Sequence, residues 1–198
     1  MFIEAPEPSE ASARLFESFE KSEGFVMNLS KAWAWRPDVF EGFGALRGLL
    51  TSQSKLNKRD QAIMVCATAA ELGDSYCSLA WGRRLSQEAG AAATAAVITG
   101  VSNETLSSRD LTLASWARKV VADPNGTTAA DVKALRDAGF CDQEIFEATT
   151  FVAFRLAFST INDALGLCPD WQLFDALSTE VRTAVNFGRP VATKPEAS

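Results

Sequence analysis

Helix starts and stops recur along this chain at short, regular intervals, and no stretch alternates apolar and polar residues in twos. Asn57 stands three residues before Asp60, Ser107 three before Asp110, and Thr128 three before Asp131. In each pair the first side chain can accept from the backbone N–H of the third helical residue, while the acid reaches back to the cap. Asp74 supplies a further cap, and glycines at 24, 73, 100, 139 and 166 close the segments before them. A chain punctuated in this way has few or no strands. The expected fold class is all-α.

The pattern gives a single helical domain over 1–198, with a core at about 24–167. Ser9 opens a segment carrying Leu15, Phe16 and Phe19 at helical spacing. A short apolar piece at 25–35 stops before Pro37, which suits the first turn of the next helix, 38–50. Gly42, Gly44 and Gly48 weaken that helix on its own and permit close approach to a neighbour, within or between subunits. Further helices are expected at 58–72, 75–88, 91–98, 107–121, 128–138 and 142–165. A last helix is expected at about 171–186, with a mobile tail at 188–198. The run Leu56 to Asp60 returns as Leu106 to Asp110, and two good helix starts are a simpler explanation than a duplicated hairpin.

Composition removes whole classes of chemistry. A chain of 198 residues buries roughly 70% of its unfolded surface, so its core needs no metal or disulfide. Nineteen Lys and Arg against 25 Asp and Glu leave a net charge of −6, which disfavours a nucleic-acid partner. There is no histidine, hence no Ser-His-Asp or Cys-His pair, no imidazole proton relay and no His-bound metal. The four cysteines, Cys66, Cys77, Cys141 and Cys168, form no CxxC, so neither a zinc ribbon nor a local dithiol is built. No metal and no cofactor are expected. No run of 18 apolar residues occurs, so no membrane partner is expected either. The opening MFIEAPEPSE lacks the pattern of a secretory leader, and the default address is cytoplasmic with reduced thiols.

The stretch Asp74-Ser75-Tyr76-Cys77-Ser78-Leu79-Ala80-Trp81, with the helix before it, resembles the alkylhydroperoxidase D and carboxymuconolactone decarboxylase superfamily. Within it, the chain is most similar to the branch of peroxidase-related enzymes. Gly24-Phe25-Val26, Arg36-Pro37, the Leu56 and Leu106 starts, Ala138-Gly139-Phe140, Val152-Ala153-Phe154 and Ala164-Leu165-Gly166 fall at that family's intervals, over roughly residues 24 to 167. The resemblance implies an alkylhydroperoxidase D-like helical core and a homo-oligomer, commonly a trimer or hexamer. It also implies a working set of a Glu, a Cys twelve residues on, a second Cys three further, and a His four further. Carried over, these positions hold Ala62, Asp74, Cys77 and Trp81. One of the four is retained.

Cys77 lies near the positive end of a helix, which favours thiolate, while Asp74 opposes it and Trp81 cannot accept a proton. Cys77 is therefore either the catalytic thiol or a packing cysteine, and Asp74 is foremost a cap. Trp81 is core, or a flat wall for a planar ligand. Arg84, two turns on, is a distant partner of Cys77. Cys66 is a buried hydrophobe, or a residue close to Cys77. In the long helix Arg155, Ser159 and Asn162 make a polar strip beside an apolar stripe of Phe151, Phe154, Phe158, Ile161 and Leu165. A subunit interface or an internal ion pair explains such a strip more simply than a ligand site does.

Three functions are consistent with these residues. One is a peroxidase-related protein with a degenerate site, a slow one-cysteine thiol peroxidase that takes a small hydroperoxide and an external thiol donor. Another is a catalytically silent relative that binds a small apolar or aromatic molecule. Lactone decarboxylase chemistry comes last, since it too leans on a histidine.

Overall fold

Local capping chemistry sets the order of elements. A computed structural model describes residues 1–195. These form eleven helices and no strand: α1 (Glu10–Glu23), α2 (Asn28–Trp33), α3 (Pro37–Ser52), α4 (Lys58–Leu72), α5 (Ser75–Ala89), α6 (Ala91–Thr99), α7 (Ser108–Ala122), α8 (Ala129–Asp137), α9 (Asp142–Ala164), α10 (Trp171–Asp175) and α11 (Thr179–Ala184). One 3-10 turn, Pro124–Gly126, joins α7 to α8. The class is all-α, as expected.

The caps form as their residues dictate. Asn57 Oδ1 accepts from the Asp60 N–H at 2.9 Å, and Asp60 Oδ2 accepts from the Asn57 N–H at 3.1 Å. Ser107 and Asp110 repeat this at 3.2 and 2.9 Å. The two similar starts also do something their shared helix-start chemistry does not require. Arg59 donates to both oxygens of Asp110, at 3.2 and 2.9 Å, while Arg109 Nη2 lies 3.5 Å from Asp60 Oδ2. Each helix's cap acid takes the other helix's arginine. The repeated run is a reciprocal clamp between α4 and α7.

That clamp fixes the entry of the central helix. Ala62 through Ala69 of α4 are all buried, so every side of the helix meets protein. α5, α6, α7 and α9 surround it. Gly82 of α5 lets α11 close in from outside, because a Cβ there would lie 3.3 Å from Val181 Cγ1.

Three expectations are corrected. The last helix is two short ones, because Ser178 accepts from the Val181 N–H at 3.4 Å and starts a second helix where continuation was expected. The tail from 188 is docked by its backbone as far as Ala192, and Lys194 pairs with Asp175 beyond it. Gly188, at φ +73°, passes against Gly73 where no side chain fits. Beyond it, Ser75 Oγ donates to Arg189 O at 2.8 Å, Arg189 Nη2 to Asp163 O at 2.7 Å, and Ala192 N to Pro169 O at 2.8 Å. Residues 196–198 of the expected mobile tail lie outside the described residues. Finally, Gly42, Gly44 and Gly48 serve no close approach within the chain, since nothing comes within 4 Å of a Cβ at any of them. α3 lies on the surface with no fully buried residue, turning Phe40 and Phe43 inward.

Candidate functional site

The first turn of α5 places the thiol. Asp74 Oδ1 accepts from the Cys77 N–H at 2.9 Å, so capping holds a wholly buried carboxylate beside the sulfur. Its other oxygen has no hydrogen-bond partner. α9 packs across α4 and brings two side chains one turn apart to the same atom. Arg155 Nη2 lies 3.2 Å from Cys77 Sγ, and Ser159 Oγ lies 3.4 Å from it. Burial pushes the Cys77 thiol far above its ordinary range, and the Asp74 charge pushes the same way. Arg155 and Ser159 pull it down without prevailing. The helix end adds only about 0.3–1 kcal/mol toward thiolate. Cys77 is therefore a neutral thiol at physiological pH.

The polar strip on α9 faces inward, which excludes a subunit interface and suits an internal pairing, but the internal ion pair expected of Arg155 is replaced by a contact to sulfur. Arg155, Ser159 and Asn162 are all buried. Asn162 Oδ1 accepts from Trp33 Nε1 at 2.9 Å, and Arg155 makes its hydrogen bond to sulfur, not to a carboxylate. Helical spacing predicts which residues share a face, but not which face turns inward. The Phe-rich stripe is the less enclosed side: Phe158 is half-buried and stacks on Trp33 at 5.2 Å.

Two adjoining hollows of about 110 Å³ each open over this cluster. One lies between α3 and α9, walled by Phe40, Phe43, Phe154 and Phe158. The other is bordered by Cys77 itself, with Tyr76, Trp81, Phe40 and Phe158. Arg47 and Arg155 line both. The Arg84 guanidinium stacks over Trp81 at 4.5 Å, and Arg155 stands 4.9 Å from the Phe158 ring. Tyr76 is tied down from below, donating to Asp170 and accepting from the Leu29 N–H at 3.2 Å.

Of the residues singled out in the sequence, Cys77, Trp81 and Arg155 meet at the cavity and Asp74 adjoins it through the sulfur. Ala62 and Cys66 are buried within α4 and line neither hollow. Burial raises the Cys66 thiol to about 12 against an opposing pull from the Arg155 charge. All four cysteines are free, with Cys141 exposed and Cys168 in a loop. Sequence reasoning missed Arg47, Phe40 and the role of Arg84. Phe40, Phe43 and Arg47 do share one face of α3, and that spacing was the available signal. Among the described residues, no group of acids and cysteines could hold a metal ion, and no helix is long and apolar enough to cross a membrane.

No protein-family model matches this sequence, and no curated protein matches it. Solved structures do. An alkylhydroperoxidase AhpD core structure, an uncharacterized peroxidase-related protein from Ralstonia eutropha, is 25% identical, with TM-score 0.74 over 95% of this chain and 97% of that one. A peroxidase-related protein from a Silicibacter species is 19% identical, with TM-score 0.74 over 93% and 95%. The debrominase Bmp8, in complex with 2,3,4-tribromopyrrole, is 12% identical, with TM-score 0.70 over 94% and 96%.

Proposed function

Because this chain belongs to the alkylhydroperoxidase D-like superfamily, we propose that it is a peroxidase-related protein with a degenerate site, one that now holds a small apolar or aromatic molecule over Cys77. The observation that carries this reading is the pairing of a neutral thiol with an aromatic-walled cavity. Ala62 cannot polarise a relay, Asp74 cannot resolve a sulfenic acid, and Trp81 cannot carry a proton. Lost acid–base assistance of this kind is worth roughly 10²–10⁴-fold. Flat walls suit a ring, and a debrominase of the same fold takes a tribromopyrrole.

Residual peroxidase chemistry would be slow and centred on Cys77. The Cys77 sulfur would attack a hydroperoxide, taking one oxygen as sulfenic acid and releasing the alcohol. An external thiol would then reduce the sulfenic acid by way of a mixed disulfide. A cytoplasmic homo-oligomer, trimer or hexamer, belongs to the same proposal. The exposed Phe146 of α9 is an apolar surface suited to self-association.

Two assays on the purified chain test this. Hydroperoxide consumption with dithiothreitol should be slow and should vanish in Cys77→Ser. Benzyl alcohol, a neutral aromatic probe, should slow alkylation of Cys77. Rapid multi-turnover consumption with a Cys66–Cys77 disulfide would overturn the reading.

A further inference from the structure

The cavity over Cys77 carries a charge pattern that an apolar occupant leaves unanswered. Four guanidinium groups line it: Arg47 from α3, Arg83 and Arg84 from α5, and Arg155 from α9. Among the described residues, Glu23 is the one acid in that lining, and it is taken by Arg83 and Arg84. Outside Trp81 a third hollow adds Lys58 and Glu88 to Arg47 and Arg84, so the approach is cationic too.

Arg155 is the most informative of the four. It is 8% exposed, its Nε is buried without a partner, and its one hydrogen bond goes to a neutral sulfur. The buried Asp74 carboxylate beside the same sulfur supplies charge but no hydrogen bond to Arg155, so donors of the guanidinium are left without partners, and a buried charge short of hydrogen bonds is costly. Arg47 is exposed on α3, yet partial desolvation at the cavity mouth and the charges of Arg155 and Arg84 hold it below its ordinary value. Cys77 does not answer this charge, because burial and Asp74 keep it protonated.

We propose that the cavity recognises a small aromatic carboxylate, its anionic group held by Arg155 and Arg47 and its ring lying among Phe40, Phe158 and Trp81. The planar fork of a guanidinium matches a carboxylate in two parallel bonds. Hollows on the order of 100–150 Å³ hold a single benzene-sized ring, so the size suits one ring rather than a nucleotide or a lipid. Arg84, stacked on Trp81, stands at the rim where the anion would pass. This assignment rests on the small-molecule reading of the site and adds charge to it.

Benzoate and benzyl alcohol differ in the charged group and little else, and their protection of Cys77 from alkylation, read by mass spectrometry, separates the two ideas. Benzoate should protect at roughly ten-fold lower concentration than benzyl alcohol, as suits a charge-assisted contact. Arg47→Gln, on an exposed helix, should remove most of that preference. Arg155→Gln should remove it as well, and if that variant fails to fold, Arg47→Gln alone decides. Raising the salt to 0.5 M should weaken benzoate selectively, by about the screening expected of a surface-accessible pair. Equal protection by the two probes would overturn the carboxylate assignment while leaving a neutral small-molecule site standing. A preference that survives in Arg47→Gln would overturn it too. Protection by neither would sink both.

Discussion

α4 and α3 are nearly the same length, fifteen and sixteen residues, and they are held in opposite ways. α4 begins in a reciprocal cap, ends at a left-handed glycine and is buried on every side. α3 has no side-chain cap, three glycines with open space beside them and no fully buried residue. The cavity lies between these two regimes. Cys77, Arg155 and Ser159 stand on helices packed against α4, whereas Phe40, Phe43 and Arg47 ride on α3. One half of the site is built into the core, and the other is a wall held mainly by aromatic contacts with Trp33 and Phe158.

The contrast is broken most directly by stability measurements. Ile63→Ala, at a wholly buried position of α4, should cost about 2–5 kcal/mol in denaturant unfolding. Leu49→Ala, on α3 at 75% exposure, should stay within about 0.5 kcal/mol. Comparable losses at the two positions would mean that α3 is covered by more than solvent, as in an oligomer interface. A smaller effect sharpens the same point. Gly48→Ala meets no atom within 4 Å and should stabilise α3 by roughly 0.5–1 kcal/mol. That gain should show in amide protection along α3 more than in the global midpoint, and loss of protection would contradict it.

Most helix starts were legible because a cap is local: Asn57 with Asp60, or Asp74 with Cys77, needs only four consecutive residues. What lay beyond reach depended on partners far along the chain. Ser178 was hidden inside an apparently continuous helix, because its role is set by the turn before it. The docking of 188–192 depends on Ser75, Asp163 and Pro169, none of them near in sequence. The site divides along the same line. Cys77, Trp81 and Asp74 were found through one contiguous stretch. The partner of the Arg155–Ser159 strip was out of reach, because a buried arginine reads as half of an ion pair, and an exposed one as interface, until the thiol opposite it is known. Arg47 left no local signature beyond its place on the inward face of α3.

Burial and the Asp74 charge hold Cys77 as a neutral thiol beside the aromatic-walled cavity. Its ionisation is read by the pH dependence of Cys77 alkylation, followed by mass spectrometry on the native chain. A thiolate-dependent rate rises with pH until the thiol is ionised, and an ordinary cysteine is at half its maximum around pH 8.5 and levels off about a unit or more above that. With burial and Asp74 both opposing ionisation, Cys77 should label slowly and still be rising about ten-fold per pH unit at about pH 10, where an ordinary cysteine has levelled off. A plateau reached near neutral pH would mean a thiolate poised for peroxide, and would contradict a neutral Cys77.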